Sequence, residues 1–580
     1  MKAQTLIAAV TLILLGLFAI PGAEAQVTRE SLDAVGVRLQ AAGSFYNRLS
    51  PPQRKMLSGS ALNFFHVVND WPDLQNQALE IEQALSSSEL PISSDSSQPN
   101  ENIATTLAPV RVSNPTTDFK FGPAGGFTES ETSTAWCGTH VVVGFNDSGS
   151  FWESGFASGF SNLSFNGFSL STTTGTTYTD KGFLPASVTG NFLLGDPVLA
   201  CTTASNFYYS SLLESRSATG GPLTDVSVSF STNGGSSFGA PVIAVAKNGL
   251  THFLDKDWMA VNPANPRQIV VTYTDFDSSG TLCGSGKLRV AIELVFSKNG
   301  GSTWSSPTVI DQQCNVSPNF PFDQGSQVTF SPSGAVNVAF ELFSGALPGP
   351  QILFRQAPSL GTAFGPKVLV TGLLQVGDGF ELQGGFRASI DLQGLVVDRS
   401  GLPTNGTIYT VWHGSDTGDS RHVFNGVLYS YSDIWISKST NNGSSWSAPV
   451  QVNTNAEPLS NGLGTDSFMP GVAVDNTSGK VAVCWYDRRN DPLNYKVDRF
   501  CGDSTDAGAT FTNFRVTPTN FMPIHGADDL VNPVYMGDYD TVASDGLKVT
   551  NGFVGAFQRI SAEGGAVLAP NSDVWAFNFN

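Results

Sequence analysis

The sequence predicts an all-β chain, a β-propeller of seven blades with six as the alternative, closed by an N-terminal strand and preceded by a small helical unit. Three observations carry this. From about residue 105 onward apolar and polar residues alternate, as in VVTYTDF (270–276), VNVAFELF (336–343) and VAVCWYD (481–487). Gly, Asn, Pro and Ser clusters break these runs at short intervals with no helical spacing between them, which is how short antiparallel strands read. One eight-residue turn recurs as STNGGSSF (231–238), SKNGGSTW (297–304), STNNGSSW (439–446) and STDAGATF (504–511), with weaker copies at 171–178 and 357–364. Aligned on Gly175, Gly235, Gly301, Gly361, Gly443 and Gly508, the copies stand 60, 66, 60, 82 and 65 residues apart. A unit of that length holds about four strands, and such units repeat around an axis as blades.

The chain opens with Lys2, an apolar run from Leu6 to Ile20 and the small-x-small triplet Ala23-Glu24-Ala25. This is the pattern of a cleaved secretory signal over residues 1–25. Residues 26–85 follow as a helical unit: Leu32, Val35, Leu39, Ala42, Phe45 and Leu49 fall at helical spacing. Ser50-Pro51-Pro52-Gln53 starts a second helix through Phe64, Phe65 and Val68; Asp70-Trp71-Pro72 ends it, and a third runs over 73–85. Residues 86–104 form a polar linker, and 105–580 the propeller.

Within the propeller each box is followed by a short strand, such as APVIAV (240–245) or APVQV (448–452), and preceded by one, such as DIWISKS (433–439). The box therefore joins the last two strands of a blade. After the sixth box, GDYDTVAS, NGFVGAFQ and SDVWAFNF supply three strands of a seventh unit. LAPVRVSN (107–114) reads like a post-box strand and supplies the fourth, leaving the ring without an open edge.

Composition limits the partners. Lys and Arg number 30 against 49 Asp and Glu, a formal net charge of −19. Nucleic acid and anionic lipid both require a basic footprint that this chain lacks. No stretch after the signal reaches the ~18 apolar residues of a membrane span. The chain is expected to be secreted, periplasmic or extracellular, and monomeric. Its six cysteines allow fifteen pairings. Cys484 and Cys501 flank a hairpin, Cys283 and Cys314 are near in sequence, and Cys137 with Cys201 remain.

The form Ser-x-Asp-x-Gly-x-x-(Trp/Phe) resembles the Asp-box, or BNR repeat, of the sialidase-like propellers, and the resemblance covers roughly 105–580. The turn explains itself locally. Asp506, Asn233, Asn299 and Asn441 are placed to bond nearby amides, and Phe238, Trp304, Trp446 and Phe511 to pin the turn. The resemblance implies that ligands bind on the face opposite the boxes, where each innermost strand starts. Those starts read GDPVLA (195–200), DKDWMAV (255–261), DQGSQVTF (323–330), GFRASIDL (385–392), TDSFMPGVAV (465–474) and GDYDTVAS (537–544). Asp196, Asp257, Asp323, Asp466 and Asp538 recur there; one start offers Arg387 instead.

Repetition of an Asp suits a bond that locks neighbouring blades. A ring of carboxylates facing one cavity would instead hold Ca²⁺ or another cation, or raise one carboxyl into a general acid. Asp257, Asp323, Asp466, Asp538 and Tyr539 are thus the catalytic candidates. Arg387, Arg488, Arg489, Trp258 and Phe468 are the ligand-binding ones, through carboxylate or hydroxyl contacts and ring stacking. For Arg488 and Arg489 a salt bridge to Asp487 or Asp491 is the competing role.

A sialidase of the resembled family carries three arginines on the substrate carboxylate, an Asp acid/base and a Tyr paired with a Glu, the first Arg in an Arg-Ile-Pro motif. The corresponding region here, GFTESETSTAWCGTH (126–140), has no such motif. Arg387, Arg488 or Arg489, and Arg559 are the substitutes on offer, with Tyr539 as nucleophile but no Glu placed beside it. Three functions follow: a non-catalytic exported propeller binding a glycan or an extracellular protein on the channel face; a glycoside hydrolase, sialidase-like or using two carboxylates; or a surface scaffold without a small ligand.

Overall fold

The computed structural model describes residues 27–87, 108–114, 127–188, 190–347, 349–373, 381–383, 386–387, 392–415, 422–424, 427–429, 431–455, 464–523, 528, 530–531, 536–561 and 571–580. The expected signal peptide and nearly all of the expected linker lie outside them. Seven units, each with four antiparallel strands, form the ring; blade 2 carries a short fifth strand, Leu163–Ser164, added in parallel. Their innermost strands are Glu129–Cys137, Phe192–Cys201, His252–Val261, Phe322–Phe330, Leu392–Val397, Ser467–Val474 and Val542–Ser544 in blades 1 to 7. Each innermost strand packs on the next around the circle, and that of blade 7 meets that of blade 1.

Val110–Arg111 is the outer strand of blade 7, with Val110 opposite Ala576 and Arg111 opposite Trp575. The N-terminal strand thus completes the last blade as the sequence implies, and seven is the blade number. The disulfides are Cys137–Cys201, Cys283–Cys314 and Cys484–Cys501. The first ties blade 1 to blade 2; the third joins residues directly opposite in adjacent strands.

All six boxes join the third and fourth strands of their blades. In five of them the leading serine accepts the glycine N–H four residues on, at 2.8–3.0 Å: Ser171, Ser231, Ser297, Ser439 and Ser504. The Asn or Asp two residues after that serine accepts a second amide four residues further, as Asn441 does from Ser445 and Asp506 from Thr510. Gly443 shows why the glycine is needed. Its φ is +76°, and a Cβ there would stand 1.9 Å from the Phe354 ring of the preceding blade. The box therefore closes its own turn and fits against its neighbour.

A second repeat lies at the other end of the strands. Five innermost strands shift register after two to four residues, around Glu131, Asp196, Lys256, Gly325 and Met469. Each of these residues has φ between 51° and 67°. A bulge of this kind bends the strand and re-aims its side chains.

The N-terminal unit comprises α1 (Arg29–Tyr46), α2 (Pro51–Arg54) and α3 (Gly59–Ser87). Thr28 and Ser31 form a reciprocal cap on α1. Two expectations are corrected. The helix opened by Pro51 and Pro52 lasts one turn, and a new one starts at Gly59. Pro72 does not end that helix: α3 runs through it. An interior proline costs about 3 kcal/mol, but Trp71, Leu74, Ala78 and Ile81 are all buried. Burial of Leu74 and Ile81 returns about 1.5–3 kcal/mol each, and the Trp71 indole also donates to Leu32 O across the helix pair. Phe45, Phe64 and Phe65 pack on Phe253, with ring centroids 4.9–6.3 Å apart. The helices and blades 1–3 share one apolar core.

Candidate functional site

The helical unit sits on the face opposite the boxes, and its sharpest point reaches the centre. The segment Met56–Ser60, which runs from the turn after α2 into the first residues of α3, is held by side chains from five blades. Asp255 of blade 3 accepts from the Ser58 N–H at 2.8 Å and from the Ser58 hydroxyl. Asp538, ahead of blade 7, accepts from the Gly59 N–H at 2.7 Å. Glu131 of blade 1 accepts from the Ser60 hydroxyl at 3.1 Å. Gln324 of blade 4 donates to Met56 O at 3.0 Å, and Arg387, ahead of blade 5, donates to Leu57 O. The first N–H groups of a helix carry its positive pole, so the carboxylates here receive a helix N-terminus.

Behind this segment five carboxyls surround Lys256. Its ammonium is 3.7 Å from Asp538 Oδ2 and lies over the Tyr539 ring at 4.1 Å. Burial opposes its charge, but Glu131, Asp538, Asp196 and Asp255 together hold its pKa above the ordinary lysine value. The acids move the other way. Burial, reinforced by Asp196, raises Glu131 well above the usual range. Burial lifts Asp196 to about 6 and Asp257 to about 8, the latter against a bond from the Ser210 hydroxyl. The nearness of Asp196 and then Asp538 adds to that burial and favours a proton on Glu131.

A small polar chamber lies alongside, lined by Lys256, Asp257, Trp258, Ser326, Gln327 and Tyr539 among others. Lys256 Nζ, Asp257 Oδ1, Ser326 Oγ and Gln327 Oε1 are buried there without a hydrogen-bond partner among the described residues. Groups of this kind are satisfied by internal water. The chamber can hold and relay protons; it has no room for a sugar ring.

The sequence candidates separate into two sets. Asp196, Asp257, Asp538, Tyr539, Trp258 and Arg387 come together around Lys256. Trp258 meets Tyr539 edge to face at 5.4 Å, and the Tyr539 hydroxyl donates to Pro197 O at 2.9 Å. Asp323 and Asp466 stand elsewhere. Asp323 accepts from Gln313 of blade 3, and burial raises its pKa well above normal. Asp466 accepts from Arg488 at 3.2 Å, from Asn494 at 2.7 Å and from the Ser432 N–H at 3.1 Å, joining blades 5 and 6. Arg489 makes a two-point bond to Asp487 at 2.9 and 2.6 Å. Phe468 is buried against Tyr486 at 5.7 Å. Arg488 and Arg489 therefore fill the salt-bridging role, Arg488 with Asp466 as its partner.

No three of the five candidate aspartates bring ligand atoms within 4.8 Å of one another. Among the described residues that grouping occurs at His252, Asp275 and Asp277. There Asp275 already pairs with Lys247 at 2.7 Å and Arg289 at 3.1 Å, so the negative charge a divalent ion needs is spent on two cations. The residues sequence reasoning missed are Glu131, Asp255, Lys256 and the Met56–Ser60 segment. Glu131 had a signal: TESETSTAW occupies the same register in blade 1 as GDPVLA in blade 2.

No protein-family model matches this chain, and no curated protein matches it. Solved structures match in fold. An ulvan lyase of polysaccharide lyase family 25 is 9% identical over 78% of this chain and 94% of its own, at a TM-score of 0.43. The α-L-arabinanase of Penicillium chrysogenum is 12% identical over 66% and 94%, at 0.40. The Trypanosoma rangeli sialidase is 9% identical over 66% and 53%, at 0.35. At these identities and scores the likeness carries no argument about function.

Proposed function

We propose that the chain is an exported, monomeric binding propeller that takes a glycan on its channel face and does not hydrolyse it. One observation carries the second half of this reading: Met56–Ser60 occupies the centre of that face, bonded to five blades. A hydrolase needs its acid and nucleophile open to the substrate, whereas Asp538, Arg387 and Tyr539 are spent on protein partners. The shared apolar core makes the helical unit a built-in part of the face, so binding falls to its rim. The glycan class rests on the resemblance of the box repeats, and the exported setting on the N-terminal pattern together with three disulfides.

Fluorogenic glycosides, including a sialoside, assayed against the mature protein test the reading, alongside a glycan array. The expected result is array binding with no turnover. Turnover abolished by Asp257→Asn or Tyr539→Phe would establish the hydrolase instead. Absence of any glycan binding, with an extracellular protein captured on the same face, would move the ligand to the other class.

A further inference from the structure

A crevice lies on the channel face at the seam between α1 and blade 2. Its enclosed part is small, about 20 Å³. Val35 and Leu39 of α1, Leu163, Phe192 and Pro222 give it apolar walls, and Arg38, Glu214 and Arg216 give it a polar end.

Three details show a shaped site. Arg38 is fixed by two backbone carbonyls, Ser161 O at 3.1 Å and Phe160 O at 2.9 Å. Gly190 forms the wall with φ +93°, and a Cβ there would come within 3.3 Å of Arg38 Nη1. Any larger residue would fill the crevice and push the guanidinium. Glu214, between the two arginines, makes no hydrogen bond or ion pair with another described residue. Burial first, then neighbouring Asp225, lifts its pKa well above the ordinary range, while Arg216 and Arg38 oppose. Beside it, exposed Arg216 gives Nη1 to Gly220 O at 2.7 Å and keeps other N–H groups for a ligand.

We infer that this crevice binds the acetamido group of an N-acetylated sugar, its methyl against the apolar walls, its N–H to Glu214 and its carbonyl from Arg216. The chemistry is selective. A carboxyl oxygen accepts an amide N–H, a guanidinium donates to an amide oxygen, and a crevice this narrow admits a methyl but not a ring. A plain hydroxyl at the same carbon would leave the apolar end empty. The inference rests on the glycan reading above and gives it a location.

Methyl N-acetylglucosaminide and methyl glucoside are the probes, used with the full mature protein. Saturation-transfer NMR should place the strongest transfer on the acetyl methyl. Carbodiimide labelling of Glu214, read by mass spectrometry, should slow in the acetylated sugar and not in the glucoside. Glu214→Ala and Arg216→Ala should each weaken binding at least tenfold; Arg216 is exposed, so its variant folds. Unprotected Glu214, equal binding of the glucoside, or full affinity in Arg216→Ala would overturn the site. Array binding confined to sugars without an acetamido group would overturn it while leaving the glycan reading intact. No binding to any glycan would remove both.

Discussion

On the box rim, Ser439 accepts from Gly443, four residues on; on the channel rim, Asp538 accepts from Gly59, 479 residues away. The two ends of the same strands are thus held by opposite means. The box closes on itself, needs little from elsewhere, and can be copied blade after blade. The channel rim is assembled from single residues of different blades around a segment that belongs to none of them. Similarity between blades is preserved where contacts are local and lost where each side chain answers to a distinct partner.

Substitutions on the two rims should differ accordingly. The largest effect is expected from Asp255→Ala, which removes the acceptor for the Ser58 N–H, the Ser58 hydroxyl and the Gln324 amide in a buried joint. Orphaned buried donors cost about 1–3 kcal/mol each. A loss of about 4 kcal/mol in urea unfolding is predicted, with earlier hydrogen exchange in α3; an unchanged α3 would mean that the joint is not what holds it. Gly443→Ala comes next, at about 2–4 kcal/mol, because the methyl meets Phe354 at a positive φ. A loss below 1 kcal/mol would show that the box moves freely against the preceding blade.

A gentler probe is pH. Asp257 and Asp196 are lifted to about 8 and about 6, above the ordinary value near 3.9. The folded chain therefore holds protons that the unfolded chain releases. This contribution is complete below about pH 4 and is lost as pH rises through 6 and then 8. The urea midpoint should decline over that window, and Asp257→Asn should flatten its upper part; a slope unaltered in that variant would assign the effect to other groups. The smallest change is expected from Asp506→Asn. Hydrogen bonds from Thr510 and Ser504 hold that carboxyl far below its usual pKa, yet Asn233, Asn299 and Asn441 fill the same role in sister boxes. Surface exchanges of this kind fall within about 0.5 kcal/mol, and calorimetry showing a larger loss would single out the sixth box.

The same contrast explains what could be read in advance. The boxes, the seven units and the closing strand follow from spacing, alternation and short-range turns, whereas Cys137–Cys201 is reached only by elimination. Asp196, Asp257 and Asp538 were visible as repeated letters and do gather at one place. Asp323 and Asp466 carry the same letter at comparable strand starts but turn to Gln313 and Arg488, a choice made by neighbours that spacing does not encode. Glu131 and Lys256 share a bulge with Asp196, yet the three residue types differ and hide the repeat. The docking of Met56–Ser60 had no local sign, since Ser-Gly-Ser reads as any helix start until the carboxylates opposite it are known.

The closing strand has a consequence for biogenesis. Val574 donates to the Ser113 hydroxyl across 461 residues, so blade 7 is complete only when both ends of the propeller are present together. During synthesis residues 110–111 emerge long before Asn571–Phe579, the strand they pair with. A chain released before its last ten residues would lack the strand Asn571–Phe579 and leave blade 7 open next to blade 1.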